Sequence, residues 1–134
     1  MAIIYSIEPD LSAEEFRAVL IASTLGERRP VGDLPRLDRM LRQADIIGTA
    51  RDGQRLVGIS RAVTDFSYCC YLSDLAVDAA YQRQGIGKRL IAETHETAGE
   101  LTSLVLVAAP EAQSYYPRIG MQQRPSCWIF PRKR

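Results

Sequence analysis

Apolar positions along the chain change their period several times, and each change marks an element. Ile3 to Ile7 is a short apolar run closed by Pro9, which predicts a first strand. The spacing then turns helical. Ser12 followed by Glu15 has the form of a capping box, and Phe16, Val19, Leu20 and Ser23 repeat on one face, so a helix is expected from Ala13 to about Thr24, stopping at Gly26. Glu27 to Pro35, with two prolines and Gly32, reads as a loop. A second helix is expected from near Leu34, with Leu34, Leu37, Met40 and Leu41 on its apolar side.

Two β-branched runs follow, Ile46 to Ala50 and Leu56 to Val63, joined by Arg51-Asp52-Gly53-Gln54. Asp-Gly between such runs is a hairpin signal, so the two should pair antiparallel. Tyr68 to Val77 extends the meander after a short connection at Thr64 to Ser67. A helix with Ile86, Leu90, Ile91 and Thr94 on one stripe should run from Gly85 to Ala98 and stop at Gly99. Leu104 to Ala108 is unbroken apolar sequence, expected as a buried strand parallel to the one before that helix. A short helix from Pro110 through Tyr115 and Tyr116, capped by Gly120, leads to a last irregular strand, Gln122 to Phe130, broken at Pro125. The basic tail Pro131 to Arg134 should fray.

The chemistry concentrates between the third meander strand and the helix, in Asp74 to Leu90. Gly85 and Gly87 open the backbone at a helix start, where N–H groups point outward unpaired, and Gln82, Arg83 and Lys88 add donors and positive charge. This is the composition of an anion cradle. It is not a P-loop, which needs a glycine at position 82 and a hydroxyl at position 89, where Gln82 and Arg89 stand. It is not a dinucleotide fingerprint, because Leu90 occupies the place of the third glycine.

Gln82-Arg83-Gln84-Gly85-Ile86-Gly87 instead resembles the acyl-CoA signature of the GNAT superfamily of N-acyltransferases: Gln or Arg, two residues, Gly, one residue, Gly or Ala. Ser114-Tyr115-Tyr116-Pro117-Arg118-Ile119-Gly120-Met121 is similar to that family's closing pattern, an aromatic pair, three variable residues, Gly and an apolar residue. Both signatures stand in the family's order, and the resemblance covers nearly the whole chain. It implies an α/β (α+β) fold with a mixed, mostly antiparallel sheet, one parallel strand pair around a CoA-binding crossover helix, and helices on both faces. One domain, residues 1–134, is expected.

The same resemblance implies an N-acetyltransferase that would move an acetyl group from acetyl-CoA to a primary amine by direct attack in a ternary complex. Gln82, Arg83, Gln84, Gly85, Ile86, Gly87 and Lys88 would bind pyrophosphate. The backbone of Leu75, Ala76 and Val77 would bind pantetheine, and Tyr116 would protonate the leaving thiolate. The alternative is a CoA-binding regulatory or interaction module without turnover. A homodimer is left open.

A base to deprotonate the amine is harder to place. The strand Leu104 to Ala108 has no titratable residue. Simple alternation puts Tyr71, Ser73 and Leu75 on the face toward the acceptor and Leu72 and Asp74 on the other, so Asp74, the one carboxylate within that strand, is a candidate base whose alternative is a helix cap or a sheet-to-helix tie. Asp65, at the connection between two meander strands, is another candidate base, with turn chemistry as its alternative. A water relay through Ser73 or Tyr71 is an equal candidate. His95, the sole histidine, is expected at the surface of the crossover helix, and Arg28-Arg29 on a loop that could meet an acceptor carboxylate.

Bulk composition narrows the partners. Apolar residues make up 46%, charged ones 25%, and the net charge is +1, which gives no general attraction to nucleic acid or to a membrane. The start lacks the pattern of a signal peptide, so a cytoplasmic setting is expected. Three cysteines, with Cys69 and Cys70 adjacent and therefore pointing apart on a strand, suggest neither a disulfide framework nor a metal site. An acetyl-cysteine route through Cys69 or Cys70 would need a histidine to activate the thiol.

Overall fold

The computed structural model describes residues 2–134. Strand β1 (Ile3–Ile7) lies antiparallel to β2 (Ile46–Asp52), which forms a hairpin with β3 (Arg55–Thr64). Gly53, with φ +63°, takes the left-handed position that the tight turn between Asp52 and Arg55 requires. β4 (Cys69–Val77) pairs antiparallel with β3, and β5 (Ser103–Val105) pairs parallel with β4, so the sheet runs β1-β2-β3-β4-β5.

Helices cover both faces. On one, α1 (Ala13–Ala22) and α2 (Leu34–Arg42) bring Phe16, Val19, Leu20, Leu37 and Leu41 onto Ile47, Ile59 and Ala76. Each of these large side chains contributes about 1.5–3 kcal/mol by leaving water. Ser12 caps α1 by accepting from the Glu15 N–H at 3.2 Å, while the Glu15 carboxylate turns to Arg51 at 2.8 Å, so the capping box is half made. Asp33 caps α2 through the Arg36 N–H. Helix α1 stops at Ala22, earlier than the periodicity suggests, and Gly26 belongs to a separate 3₁₀ turn, Leu25–Arg28.

On the other face lies α3 (Ile86–Ala98), whose Ile86 and Leu90 pack on Ala50 and Val57. Two glycines of the sheet allow that approach. A Cβ on Gly58 would come within 3.0 Å of Leu90, and one on Gly48 within 2.4 Å of the Ser60 hydroxyl. Ser60 and Thr94 share a buried hydroxyl contact of 2.7 Å that ties the helix to β3.

Three expectations need correction. β5 is only three residues long, and the run from Leu104 to Val107 is half open: Leu104 and Leu106 pack on the α3 side, whereas Val105 and Val107 are 52% and 61% exposed, because α1 and α2 pack on β2 to β4 and not on this edge. Residues 122–130 form no strand, and Trp128, Ile129 and Phe130 stand in solvent. The expected short helix is split into a 3₁₀ turn, Pro110–Ala112, and α4 (Tyr115–Arg118). Pro117 is tolerated in α4 because first-turn N–H groups have no helical acceptor.

A fourth correction concerns β4. Arg61 pairs with Asp74, but the next residue, Ala62, pairs with Leu72, which leaves Ser73 as a bulge. One inserted residue inverts the alternation beyond it. Cys70, Leu72, Leu75 and Val77 therefore share the α3 face, while Tyr71, Asp74 and Ala76 lie toward α1 and α2.

Candidate functional site

The site residues expected from the sequence occur where three features meet: the free side of β4, the turn after it, and the start of α3. β5 pairs with β4 only from Cys69 to Tyr71, while β4 continues to Val77. Among the described residues no strand borders Leu72 to Val77 on that side, so the backbone groups there have no strand partner. Leu75 and Val77 are half-buried and Ala76 is buried.

The turn after β4 is held in place from below. Asp78 accepts from the Ala80 N–H and from Arg55, and its own N–H donates to the Val57 carbonyl. Tyr81 donates to Asp52 at 2.7 Å, and the Arg55 guanidinium lies 5.4 Å from the centre of the Tyr81 ring. The Asp52 bond, above all, raises the Tyr81 phenol's pKa, since ionisation would break it beside a carboxylate. The Gln82 side-chain amide donates back to the Val77 carbonyl at 3.1 Å. One of the strand groups expected to meet pantetheine thus already has a partner, although a carbonyl can accept a second bond.

Arg83 has φ +66° and Gly85 φ +82°, two left-handed residues that swing the chain into α3. Gly85 is the helix cap, and Arg89 N–H to Gly85 O at 3.1 Å is the first helical bond. The N–H groups of Ile86, Gly87 and Lys88 therefore lack helical acceptors, at the positive end of a thirteen-residue helix. Gln82, Arg83, Gln84 and Gly85 are exposed and nothing crowds Gly85, while Ile86 is buried beneath. An anion has access and donors here.

Sequence reasoning missed the part played by Tyr115. A Cβ on Gly87 would lie 3.0 Å from the Tyr115 hydroxyl, so the glycine is what lets that phenol reach the helix start. Burial raises the Tyr115 pKa, and the Lys88 backbone N–H beside it pulls the other way. Tyr116 packs edge-on against Tyr115, ring centres 5.2 Å apart and planes at 77°, and burial raises its pKa as well. Both phenols are held protonated, the form an acid needs. Only their position in the chain distinguished them in the sequence.

The candidate bases have other partners. Asp74 does face the α1–α2 side, contrary to the alternation read from the sequence, but its carboxylate accepts from both Arg29 and Arg61. Arg29 also donates to the Ser73 carbonyl at 2.8 Å, and Arg61 to the Ser73 hydroxyl at 2.9 Å. Two guanidiniums thus clamp the bulge, and Arg29 is not free for an acceptor. Asp65 accepts from the N–H groups of Ser67, Tyr68 and Cys69, which hold its pKa down at about 2.

His95 is half-buried and its Nε2 contacts the Thr102 carbonyl at 2.8 Å, pinning the turn from α3 to β5 rather than standing free. Burial pushes the Cys70 thiol up, opposite to what a nucleophile needs. A shallow concavity of about 330 Å³ between the starts of α1 and α2, lined by Asp10, Glu14, Asp38 and Arg42, includes none of these site residues.

The family model for the acetyltransferase (GNAT) domain matches residues 43–123, from β2 through the aromatic pair. Histone acetyltransferase TAP1 of Glycine max is 31% identical over 74 residues, 54% of this chain and 32% of that protein. GCN5-related N-acetyltransferase 2, chloroplastic, of Arabidopsis thaliana is 26% identical over 80 residues, 58% of this chain and 31% of that one. The match thus spans about a third of the length of these relatives.

Solved structures share the fold at low identity. A GNAT family acetyltransferase from Streptococcus pneumoniae superposes with a TM-score of 0.77 at 23% identity, covering 98% of this chain and 100% of its own. Aminoglycoside N-acetyltransferase AAC(6')-Iy in complex with CoA gives 0.76 at 17%, covering 98% and 95%. With a family model over more than half its length and the family's fold throughout, the chain belongs to the GNAT acetyltransferases.

Proposed function

We propose that the chain transfers an acetyl group from acetyl-CoA to a primary amine by direct attack, with both substrates bound together. The observation that carries this reading is the junction of β4 with α3: a strand with one open side runs through a pinned turn into a helix start whose first N–H groups lack helical acceptors. That junction offers an extended backbone ladder for pantetheine and an anion site for pyrophosphate, a few residues apart. The solved AAC(6')-Iy with CoA, and with a CoA-linked acetylneamine, lends the reading support from the same fold.

In this scheme Gln82, Arg83, Gln84, Gly85, Ile86, Gly87 and Lys88 hold the pyrophosphate, by backbone N–H groups and by the two cations. The backbone of Leu75, Ala76 and Val77 aligns the pantetheine, and its N–H groups polarise the thioester carbonyl. Tyr116 gives its proton to the departing thiolate. Tyr115, whose hydroxyl lies beside Gly87 and Lys88, is the rival for that role. The proton on the attacking ammonium leaves through water, by way of Tyr71 or Ser73, since Asp74 and Asp65 are both engaged.

The engagement of both carboxylates is also what favours the second reading, a CoA-binding module without turnover. Thermal protection by acetyl-CoA, followed by thiol release in the presence of small amines, amino acids, aminoglycosides and peptides, separates the two. Protection with thiol release on at least one amine is expected. Protection without release on any of them transfers the case to the binding module, and no protection sinks both.

A further inference from the structure

With pyrophosphate at the start of α3 and pantetheine along Val77, Ala76 and Leu75, the thioester lies further back along β4, beside Ser73, where β5 closes onto the strand. The two faces of the sheet differ at that point. On the α3 face Cys70 and Leu72 are buried, with Ile91, Leu104 and Leu106 packed against them. An acceptor therefore reaches the thioester carbonyl from the opposite face.

That face carries an open apolar row. β3 alternates regularly from Ile59 to Val63, so Val63 lies on the side of Ile59 and Arg61. The pairings of Val63 with Tyr71 and of Tyr71 with Val105 then set three side chains abreast across β3, β4 and β5. They are 46%, 45% and 52% exposed, because the core under α1 and α2 ends at Ile59 and Ala76, just before Arg61 and Asp74. Tyr71 is two residues from Ser73, so the row abuts the place where the thioester would lie. Charge bears on what can rest there. Arg29 and Arg61 share the single carboxylate of Asp74, which leaves one positive charge in excess at the end of the row nearest Ser73. At its other end Asp45 and Asp65 accept from the N–H groups of Thr64 and of Ser67, Tyr68 and Cys69, so both are engaged by the β3–β4 connection.

Resting on the acetyl-transfer reading above, we propose that the acceptor is a monoamine with an apolar body, which lies on Val63, Tyr71 and Val105 with its amino group toward Ser73. Burying its alkyl or aryl part on the row supplies the affinity. A second ammonium on the same molecule would have to leave water against apolar side chains, beside a wall that already holds surplus positive charge. The row thus selects against polyamines and other polycations, and Val63 and Val105 are specificity-determining residues.

Thiol release from acetyl-CoA with propylamine, pentylamine and 1,5-diaminopentane tests this. Each methylene laid on the row is worth roughly fourfold, so kcat/KM should be about tenfold or more higher for pentylamine than for propylamine. It should also be at least about tenfold higher for pentylamine than for the diamine. Val105→Asp and Val63→Asp, at exposed positions on neighbouring strands, should each keep the thermal protection given by acetyl-CoA. Each should also bring pentylamine down toward propylamine and raise the diamine. Equal rates for the two monoamines, a wild-type preference for the diamine, or variants that stay protected with the ranking unchanged would each overturn the proposal while acetyl transfer itself stands. Protection by acetyl-CoA without thiol release on any amine removes the transfer reading, and this proposal with it.

Discussion

Arg61 of β3 and Asp74 of β4 face each other beside the residue at which β4 bulges, and they are ion-paired there with Asp74 wholly buried. Arg29 reaches the same carboxylate from the loop after α1. The pair explains why the bulge is held: Ser73 cannot be drawn back into register without tearing its carbonyl and hydroxyl from these two guanidiniums. It fixes β4 where β5 leaves it, so a sheet irregularity, a loop and the open side of β4 are one mechanical unit.

Removing Asp74 should therefore act on stability. Asp74→Asn leaves two partly buried cations short of a counter-charge, a loss of about 3–5 kcal/mol. The urea midpoint should fall accordingly. Any protein that still folds should keep the pH dependence of the wild type, because the Asp74 carboxylate is engaged by Arg29 and Arg61. Loss of the acidic limb of the rate profile in a well-folded variant would return Asp74 to the mechanism.

The two phenols separate by substitution. Tyr116→Phe is expected to lower kcat by about 10²-fold or more, the contribution of a positioned acid, with little change in CoA affinity. Tyr115→Phe, which loses a hydroxyl at the helix start, should weaken CoA binding more than turnover. The reverse outcome, measured by steady-state kinetics and calorimetry, would assign the acid to Tyr115.

Most elements were legible because their periods are local: α1, α2 and α3 from apolar stripes and caps, the β2–β3 hairpin from Asp52-Gly53, the turn into α3 from Gly85. What could not be read depends on contacts across the fold. A period of two presumes an unbroken strand, and nothing local in Leu72-Ser73-Asp74 announces the residue that breaks it. Residues 122–130 have strand composition but no strand partner, and composition alone cannot supply one. Tyr115 and Tyr116 are equivalent in a motif and different in space, where Gly87 admits only the first.

Gly85 and Gly87 should fail differently. Gly85 has open space around it but a left-handed backbone, so Gly85→Ala costs about 1–2 kcal/mol in strain and loosens the turn. Gly87→Val has ordinary backbone geometry and collides with the Tyr115 hydroxyl. Titration should show at least tenfold weaker CoA binding for Gly87→Val at nearly unchanged thermal stability. Unaltered affinity would remove the cradle from the binding site.

Asp65 predicts an acid dependence with a definite sign. Its folded pKa, about 2, lies below the ordinary 3.8, so its contribution is present above that ordinary value and is lost as pH falls toward 2. Wild type should exceed Asp65→Asn in stability at neutral pH, and the gap should close between about pH 4 and pH 2. A gap that does not change with pH would mean that the three N–H bonds serve the neutral side chain equally well.

The proton route predicts the shape of the rate profile. With Asp74 held by Arg29 and Arg61, and Asp65 by three backbone N–H groups, neither carboxylate is free to accept a proton from the acceptor ammonium. The reactive amine must then arrive neutral or lose its proton to water. The rise of kcat/KM with pH should consequently follow the acceptor's own pKa, moving when one amine is exchanged for another of different basicity. Tyr71→Phe and Ser73→Ala should reduce the rate on the rising limb if either hydroxyl orders the relay. A limb fixed at one pH for every acceptor would instead report a base on the protein, and the assignment of these two aspartates to purely structural work would have to be given up.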